Sequence, residues 1–359
     1  MKDEVERKRD SRAVGAGAKR DRGAEGVTVQ LVRDDLLPPS DPPPKRHLIS
    51  IGDVTRDDVA RLLSTAQSFE QSLQREVKKL PTLRGRLVVN MFFESSTRTS
   101  SSFELAAKRL SADVMSIKGS GSSVDKGESL KDTILTLDAY DPDVIVIRHA
   151  QIGAPNLVSR FTDAHVVNAG DGKHQHPTQA LLDLYTIEQN VGPIEGLHVA
   201  IVGDVLHSRV ARSNIQALTL MGARVTLVGP PPLIPRGIEA MGCEVSTDIG
   251  AISAADVVYV LRMQKERMEA GANYVPSLRE YTAMWGVTPE RVRPGQWIMH
   301  PGPMNRGVEI DPAVADASES LIETQVRSGL VVRMAVLYDL LTQGPVEVTT
   351  EAEVTEEVA

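Results

Sequence analysis

Six short stretches of the sequence carry hydroxyl, arginine, histidine or proline residues in patterns that suit the binding of anions. The first is Ser96-Thr97-Arg98-Thr99, between an apolar run and a helical segment. Backbone N–H groups at the start of a helix bind anions, and an adjacent arginine supplies a forked cation. The stretch therefore indicates a phosphate site, although serine and threonine in this position can also serve simply as helix caps.

Three further stretches place an arginine after an apolar run. Arg148 ends the run Asp-Val-Ile-Val-Ile-Arg, and Arg262 ends Val-Tyr-Val-Leu-Arg shortly before Gln264. The carboxyl ends of parallel strands face the ligand crevice, so these arginines are candidate anion ligands; an arginine that closes a strand can also be merely solvated. Arg209 follows a Gly-Asp turn without the G-x-G-x-x-G pattern, so we interpret it as a carboxylate anchor and not as part of a dinucleotide site.

The last two stretches are histidine–proline pairs. His176-Pro177 opens a helix, where the imidazole could polarise a carbonyl or simply cap the helix. His174 lies two residues before His176, but no carboxylate or cysteine completes a set of metal ligands at useful spacing. In the loop His300-Pro301-Gly302-Pro303 the prolines lack N–H donors, so the backbone carbonyls are exposed.

The composition of the 359 residues excludes several classes of protein. A formal net charge of -8 argues against a nucleic-acid surface, so the arginine clusters must serve smaller anions. No window approaches the ~18 apolar residues of a membrane span. The single cysteine, Cys243, excludes internal disulfides and a cysteine-based zinc site. The N-terminus has no apolar signal segment and mixes acids with bases, so we expect a cytoplasmic protein.

Alternating strand and helix patterns predict the scaffold that positions these residues. Apolar runs at 87–93, 143–148 and 165–168, followed by an amphipathic helix at 178–189, form a first block. After a break at Gly192-Pro193, a second block repeats the pattern at 199–202, 210–221, 225–228 and 257–261. The predicted fold class is α/β, with two Rossmann-like three-layer domains that have parallel sheets and are joined by interdomain helices.

The domain boundaries follow from these blocks and from the composition of the two ends. Residues 1–45 are charged and then proline-rich, which predicts a disordered arm, and 343–359 form an acidic tail. Between them lie domains at 46–190 and 191–320 and a C-terminal helix at 321–342 that packs back on the first domain.

In their order and spacing the six stretches resemble the carbamoyltransferase family, and its aspartate branch in particular. The resemblance covers about residues 46–342 and rests on the motifs S-T-R-T, S-F-E, G-E-S-L, R-H, H-P-T-Q and H-P-G-P. Ornithine carbamoyltransferases typically carry a cysteine in the last of these loops, whereas the only cysteine here is elsewhere. The family usually has a basic residue after S-T-R-T, where this chain has Ser100.

The resemblance implies transfer of the carbamoyl group of carbamoyl phosphate to the amine of L-aspartate, an early committed step of de novo pyrimidine biosynthesis. The residues implied to be catalytic are Arg98, Thr99, Arg148 and His176. The residues implied to bind carbamoyl phosphate, in the first domain and the H-P-G-P loop, are Ser96, Thr97, Arg98, Thr99, Arg148, His176, Gln179, Gly302 and Pro303. The residues implied to bind aspartate are Lys126, Arg209, Arg262 and Gln264.

The resemblance also implies a homotrimer with shared active sites, in which Ser122 and Lys126 reach into a neighbouring subunit's site. It implies no metal and no cofactor, because carbamoyl phosphate is already activated. Regulatory chains or a dihydroorotase stay open as further partners, whereas nucleic acid and membranes are not expected.

Three other interpretations compete with this one. A carbamoyltransferase that uses ornithine or a related amine would need acids at the second-substrate site, where this chain has Arg209 and Arg262. A catalytically silent scaffold subunit would not need the complete set of arginines and His176. A dinucleotide-dependent oxidoreductase would need the glycines that are missing after the strand at 199–202.

Overall fold

The computed structural model describes residues 46–119, 128–264 and 277–342. The predicted disordered arm at 1–45 and the predicted acidic tail at 343–359 lie outside these ranges. So do Ser122 and Lys126, which were predicted to serve a neighbouring subunit.

The first domain is built on a parallel sheet whose strand order, within the described residues, is β2-β1-β3-β4. Its strands are β1 Leu87–Phe92, β2 Asp113–Lys118, β3 Val144–His149 and β4 His165–Asp171. Its helices are α1 Arg56–Ser72, α2 Thr97–Arg109, α3 Leu130–Asp138, α4 Ala154–Val158 and α5 Pro177–Asn190. The central strands β1 and β3 are buried nearly throughout, as continuous runs of valine and isoleucine predict for a sheet covered on both faces.

The second domain repeats this design with the strand order β7-β6-β5-β8-β9, again all parallel. Its strands are β5 His198–Val202, β6 Arg224–Val228, β7 Glu244–Ser246, β8 Val257–Val260 and β9 Trp297–Met299. The remaining helices are α6 Arg209–Leu220, α7 Leu278–Trp285, α8 Pro312–Ala315 and α9 Ile322–Thr342. The predicted fold class, two parallel α/β domains, is confirmed.

Each sheet has one point at which the direction of strand succession reverses. The chain moves from β1 outward to β2 and then returns to place β3 on the other side of β1; β5, β6 and β8 repeat this order. Loops leaving the two strands at such a point diverge and open a crevice at their carboxyl ends. Arg98 and Arg148 therefore lie at the crevice of the first sheet, and Arg209 and Arg262 at that of the second.

Two helices join the domains. Helix α9 packs against α1, α2 and α5, and α5 packs against α6 of the second domain as well as β4 of the first. The prediction that α5 is amphipathic was wrong, because every residue from Pro177 to Ile187 is buried between these neighbours. None of the helices in the described part of the chain combines the length and the apolar character needed to cross a bilayer.

Candidate active site

One cavity of about 620 Å³ lies between the two domains, and we call it the cleft. Its lining includes every predicted site residue that the structure describes: Ser96, Thr97, Arg98, Thr99, Arg148, His176, Gln179, Arg209, Arg262, Gln264, Gly302 and Pro303. It also includes Glu94, Gln325 and Arg333, which the sequence did not point to. The sequence motifs therefore converge on one cleft, while the role of each residue stays a prediction.

The S-T-R-T stretch forms the first turn of α2. Ser96 is the N-cap residue in an extended conformation, and its side chain makes no capping hydrogen bond. The interpretation of this serine as an ordinary side-chain cap was therefore wrong. The first backbone N–H groups of a helix have no partner within the helix, and here the residues that carry them line a cleft that the exposed Arg98 also lines. This arrangement suits a phosphate group.

Glu94 connects the two domains across the cleft. It follows β1, and its Oε1 accepts a hydrogen bond of 2.7 Å from Arg148 Nη2. Its Oε2 accepts another of 3.2 Å from Arg209 Nη1, which also donates to the Gly172 carbonyl. Charge-assisted hydrogen bonds of this kind hold a guanidinium in a defined plane. Glu94 therefore orients one arginine from each domain, and Arg148 is not a merely solvated strand end.

Two glycines give the cleft arginines room to pack. Gly302 has a φ of +62°, and a β-carbon there would lie 2.9 Å from Arg98 Cζ. Gly170 has a φ of +117°, and a β-carbon there would lie 2.9 Å from Arg209 Cζ. Both positions combine a backbone conformation that favours glycine with a close approach of a guanidinium, which any added side chain would displace.

The start of α5 presents His176 and Gln179 to the cleft. Pro177 occupies the first helical position, and the His176 side chain makes no capping hydrogen bond, so the interpretation of His176 as a helix cap was wrong. The backbone N–H of His176 donates to Ser213 Oγ on α6 at 2.8 Å. This contact fixes the start of α5 against the second domain and keeps the imidazole at the cleft wall.

The loop from His300 to Pro303 is held by the His300 ring, which is buried and lies against the buried Glu309. Burial lowers the pKa of His300, and the nearby Arg98 and Arg262 lower it further, whereas Glu309 raises it. His300 Nδ1 accepts a hydrogen bond from the Gly302 N–H at 2.9 Å, so the proton of the neutral ring must sit on Nε2, 3.3 Å from Glu309 Oε1. The ring therefore fixes the Gly302 peptide, and with it the carbonyls of the loop.

A second buried pair, Asp204 and His207, lies beside the part of the cleft that the second domain lines. Asp204 and His207 are fully buried after β5, with His207 Nδ1 2.9 Å from Asp204 Oδ1. Asp204 Oδ2 also accepts a hydrogen bond of 3.2 Å from the Gln264 backbone N–H. This carboxylate ties the segment carrying Arg262 and Gln264 to the turn that precedes Arg209.

Arg333 adds a cation that the sequence did not suggest. It lies on α9 with 4% of its surface exposed, and its Nη1 donates to Ser102 Oγ at 2.8 Å and to the Gly329 carbonyl. Burial lowers the pKa of Arg333 to about 10, with Asp183 opposing and Arg148 reinforcing this shift. A buried guanidinium held by neutral acceptors contributes positive potential to the cleft it lines.

The charge balance of the cleft favours anionic ligands. Arginines line it from both domains and from α9, namely Arg98, Arg148, Arg209, Arg262 and Arg333. Against these, the lining carboxylates within the described residues are Glu94 and Glu323. In a chain with a net charge of -8, this local excess of cations indicates a site for anionic ligands.

Two family models match successive parts of the chain. Residues 46–189 match the model of the aspartate/ornithine carbamoyltransferase carbamoyl-P binding domain, and residues 195–340 match that of the Asp/Orn binding domain. The chain belongs to the aspartate/ornithine carbamoyltransferase family. The resemblance seen in the sequence motifs is thereby confirmed, as is the assignment to the carbamoyltransferase enzymes.

Individual relatives of this carbamoyltransferase lie in the aspartate branch. The aspartate carbamoyltransferase catalytic subunit of Acidothermus cellulolyticus is 54% identical over 303 residues, covering 83% of this chain and 93% of that protein. The subunit of the same description from Salinispora arenicola is 56% identical over 303 residues, covering 82% and 98%.

Solved structures show the same relationship. Aspartate transcarbamoylase from Trypanosoma cruzi in complex with carbamoyl phosphate and aspartate has a TM-score of 0.74 at 31% identity, covering 82% of this chain and 96% of that chain. The catalytic subunit of M. jannaschii aspartate transcarbamoylase has a TM-score of 0.73 at 37% identity, covering 83% and 99%.

Proposed function

We propose that this carbamoyltransferase joins the carbamoyl group of carbamoyl phosphate to the amine of L-aspartate, an early step of de novo pyrimidine biosynthesis. The observation that carries the proposal is the placement of two arginine pairs at the crevices of two sheets that share one cleft. Arg98 and Arg148 suit a phosphate with its adjoining carbonyl, and Arg209 and Arg262 suit two carboxylates. The Trypanosoma cruzi enzyme, which has been solved in complex with carbamoyl phosphate and aspartate, supports this choice of substrates.

In the proposed donor site the first turn of α2 holds the phosphate. Residues Ser96 to Thr99 supply hydroxyls, backbone N–H groups and the Arg98 guanidinium. Arg148 bridges the phosphate and the carbonyl oxygen, which Thr99 and His176 also face. The carbamoyl NH2 group meets acceptors only: the Gln179 amide oxygen and the backbone carbonyls of Gly302 and Pro303.

In the proposed acceptor site Arg209 and Arg262 each bind one carboxylate of aspartate, with Gln264 beside them. Glu94 holds the Arg209 side chain, and the buried Asp204 holds the backbone of Gln264, two residues after Arg262, so both segments are fixed before the substrate arrives. Lys126, outside the described residues, completes this site in the proposal.

The reaction forms a C–N bond and breaks a C–O bond without a covalent enzyme intermediate. The neutral aspartate amine attacks the carbamoyl carbon, the carbonyl oxygen takes the electron pair, and the resulting tetrahedral intermediate expels phosphate, which accepts the amine proton. Orienting the two substrates contributes up to about 7–11 kcal/mol. Donors placed on the oxyanion, here Thr99, Arg148 and His176, contribute about 3–4 kcal/mol each.

The test is a product assay with purified protein, carbamoyl phosphate and either L-aspartate or L-ornithine. We expect carbamoylated product with aspartate alone, because a cationic side chain would meet two arginines. Product with ornithine alone would keep the enzyme class and overturn the roles of Arg209 and Arg262. A folded protein inactive with both amines would instead favour the scaffold interpretation.

The proposal includes a cytoplasmic homotrimer with shared sites, to which Ser122 and Lys126 are contributed by a neighbouring subunit. Mixing subunits that carry Lys126→Ala with subunits that carry Arg98→Ala tests this arrangement. Random reassembly is expected to restore activity, since some sites then combine two intact surfaces. Mixed oligomers as inactive as their parents would contradict shared sites.

A further inference from the structure

A single carboxylate, Asp183, connects four elements beneath the cleft. It lies on α5 with 1% of its surface exposed, and it does not line the cleft itself. Its Oδ1 accepts hydrogen bonds from Gln179 Nε2 at 3.0 Å and from Gln325 Nε2 at 2.7 Å. Its Oδ2 accepts hydrogen bonds from Asn214 Nδ2 at 2.9 Å and from the Tyr259 hydroxyl at 2.7 Å. The four acceptor positions of a carboxylate are thereby used.

This saturation determines which end of the Gln179 amide faces the cleft. A carboxylate in this arrangement only accepts hydrogen bonds, so the NH2 end of Gln179 must turn toward Asp183. The amide oxygen is left on the cleft side, where Gln179 forms part of the wall. Without Asp183 either end of the amide could face the cleft, since the two ends have nearly the same shape.

The same carboxylate orients a second amide that holds the opposite wall. With its NH2 end bound to Asp183, Gln325 directs its Oε1 to the backbone N–H of His300 at 2.9 Å. His300 in turn fixes the Gly302 peptide through its ring. Asp183 thus acts on both walls of the proposed carbamoyl NH2 site, through Gln179 and through the loop that carries Gly302 and Pro303.

We propose that Asp183 is a positioning residue that makes the carbamoyl NH2 site an all-acceptor site and so gives the enzyme its preference for carbamoyl phosphate over acyl phosphates. The inference rests on the proposed function. An acetyl group has a methyl where carbamoyl has NH2, and it cannot satisfy oriented acceptors. A site built to hydrogen-bond a group rejects an analogue that lacks the group.

The measurement is the ratio of the dissociation constant of acetyl phosphate to that of freshly prepared carbamoyl phosphate, by calorimetric titration. Asp183→Leu has nearly the same shape but accepts no hydrogen bond. We expect it to lower the ratio about tenfold or more, the effect of losing one oriented hydrogen bond in a closed site. The dissociation constant of inorganic phosphate, which does not depend on Gln179, is expected to stay unchanged and reports an intact site. If the Leu variant does not fold, Asp183→Ala takes its place.

Two further variants separate acceptor geometry from charge and from general destabilisation. Asp183→Asn keeps an acceptor for Gln179 and Gln325 if its NH2 turns toward Asn214 and Tyr259, which can both rotate to accept, so the ratio is expected to survive. Tyr259→Phe removes one donor from the other oxygen and is also expected to keep the ratio.

Every result of these titrations either supports or overturns the proposal. A ratio retained in the Leu or Ala variant would overturn the proposal, and so would a ratio lost in the Asn variant, which would indicate a need for charge. A wild-type protein that does not prefer carbamoyl phosphate would refute the proposed function itself. The geometry predicts that the ratio of dissociation constants falls in Asp183→Leu and is retained in both Asp183→Asn and Tyr259→Phe.

Discussion

Replacing Glu94 by glutamine is expected to lower kcat while tightening the binding of inorganic phosphate. The carboxylate holds Arg148 at 2.7 Å and Arg209 at 3.2 Å, so its loss releases one arginine from each domain. At the same time it removes a negative charge from a site for anions, which lowers the electrostatic cost of binding phosphate. These two consequences have opposite signs, and a general loss of structure would not produce them together.

The magnitude follows from the burial of the three groups. The side chain of Glu94 is 26% exposed, that of Arg148 12% and that of Arg209 3%. Removing one partner of a fully buried ion pair costs about 3–5 kcal/mol. Partial exposure and the remaining amide oxygen reduce this to about 2–3 kcal/mol, and if the loss falls on the transition state, kcat drops about 30- to 150-fold.

Steady-state kinetics and calorimetric titration of phosphate measure the two effects. Glu323→Gln removes the other carboxylate that lines the cleft, an exposed one, and serves as the charge-matched control. We expect it to leave kcat unchanged and to shift phosphate binding less. Unchanged kcat in the Glu94 variant, or phosphate binding that weakens along with kcat, would refute the reasoning about this bridge.

Three other predictions follow from glycine geometry, buried charge and pH. Gly302→Ala is expected to lower kcat/KM for carbamoyl phosphate at least tenfold. The control is Gly307→Ala, where φ is +76° but no atom lies near the added carbon, so it should cost only about 1 kcal/mol of stability. Equal losses of activity in the two variants would contradict this prediction. Arg333→Met is expected to weaken phosphate binding without lowering the melting temperature by more than a few degrees. Arg327→Met, at an exposed position on the same helix, is the control. An Arg333→Met protein that no longer folds would show that this arginine has a structural role instead. Burial raises the pKa of Asp183 to about 6 against an ordinary 3.8. The free energy of unfolding of the wild type, relative to that of Asp183→Asn, is therefore expected to fall by at most about 3 kcal/mol between pH 4 and 6 and to stay level above pH 6. Urea titrations in which this difference rises between pH 4 and 6 would contradict the prediction.

Much of the scaffold could be predicted because buried parallel strands are continuous apolar runs. The runs at 87–93 and 143–148 became β1 and β3, and the helix predicted at 321–342 is α9, Ile322–Thr342. Polar residues directly after such runs must lie at the carboxyl edge of a sheet. This rule brought the predicted arginines to the cleft without knowledge of any contact.

Elements and residues that depend on distant contacts could not be predicted in this way. Strand β2 lies at a sheet edge and has no fully buried residue, so its sequence Asp-Val-Met-Ser-Ile-Lys shows no apolar run. Glu94 acquires its role from arginines 54 and 115 positions away, and Asp183 from a glutamine 142 positions away. A lone acidic residue next to a strand or within a helix carries no local signal of such partners.

The most direct test of the central claim, that one cleft binds both anionic substrates, is titration with N-(phosphonacetyl)-L-aspartate. This compound carries a phosphonate and both aspartate carboxylates, and the Trypanosoma cruzi enzyme has been solved in complex with it. We predict tight binding by the wild-type protein and a loss of at least tenfold in both Arg98→Ala and Arg262→Ala, one from each domain, with Arg327→Ala unchanged. Binding that depends on only one of the two cleft arginines, or on neither, would contradict the account.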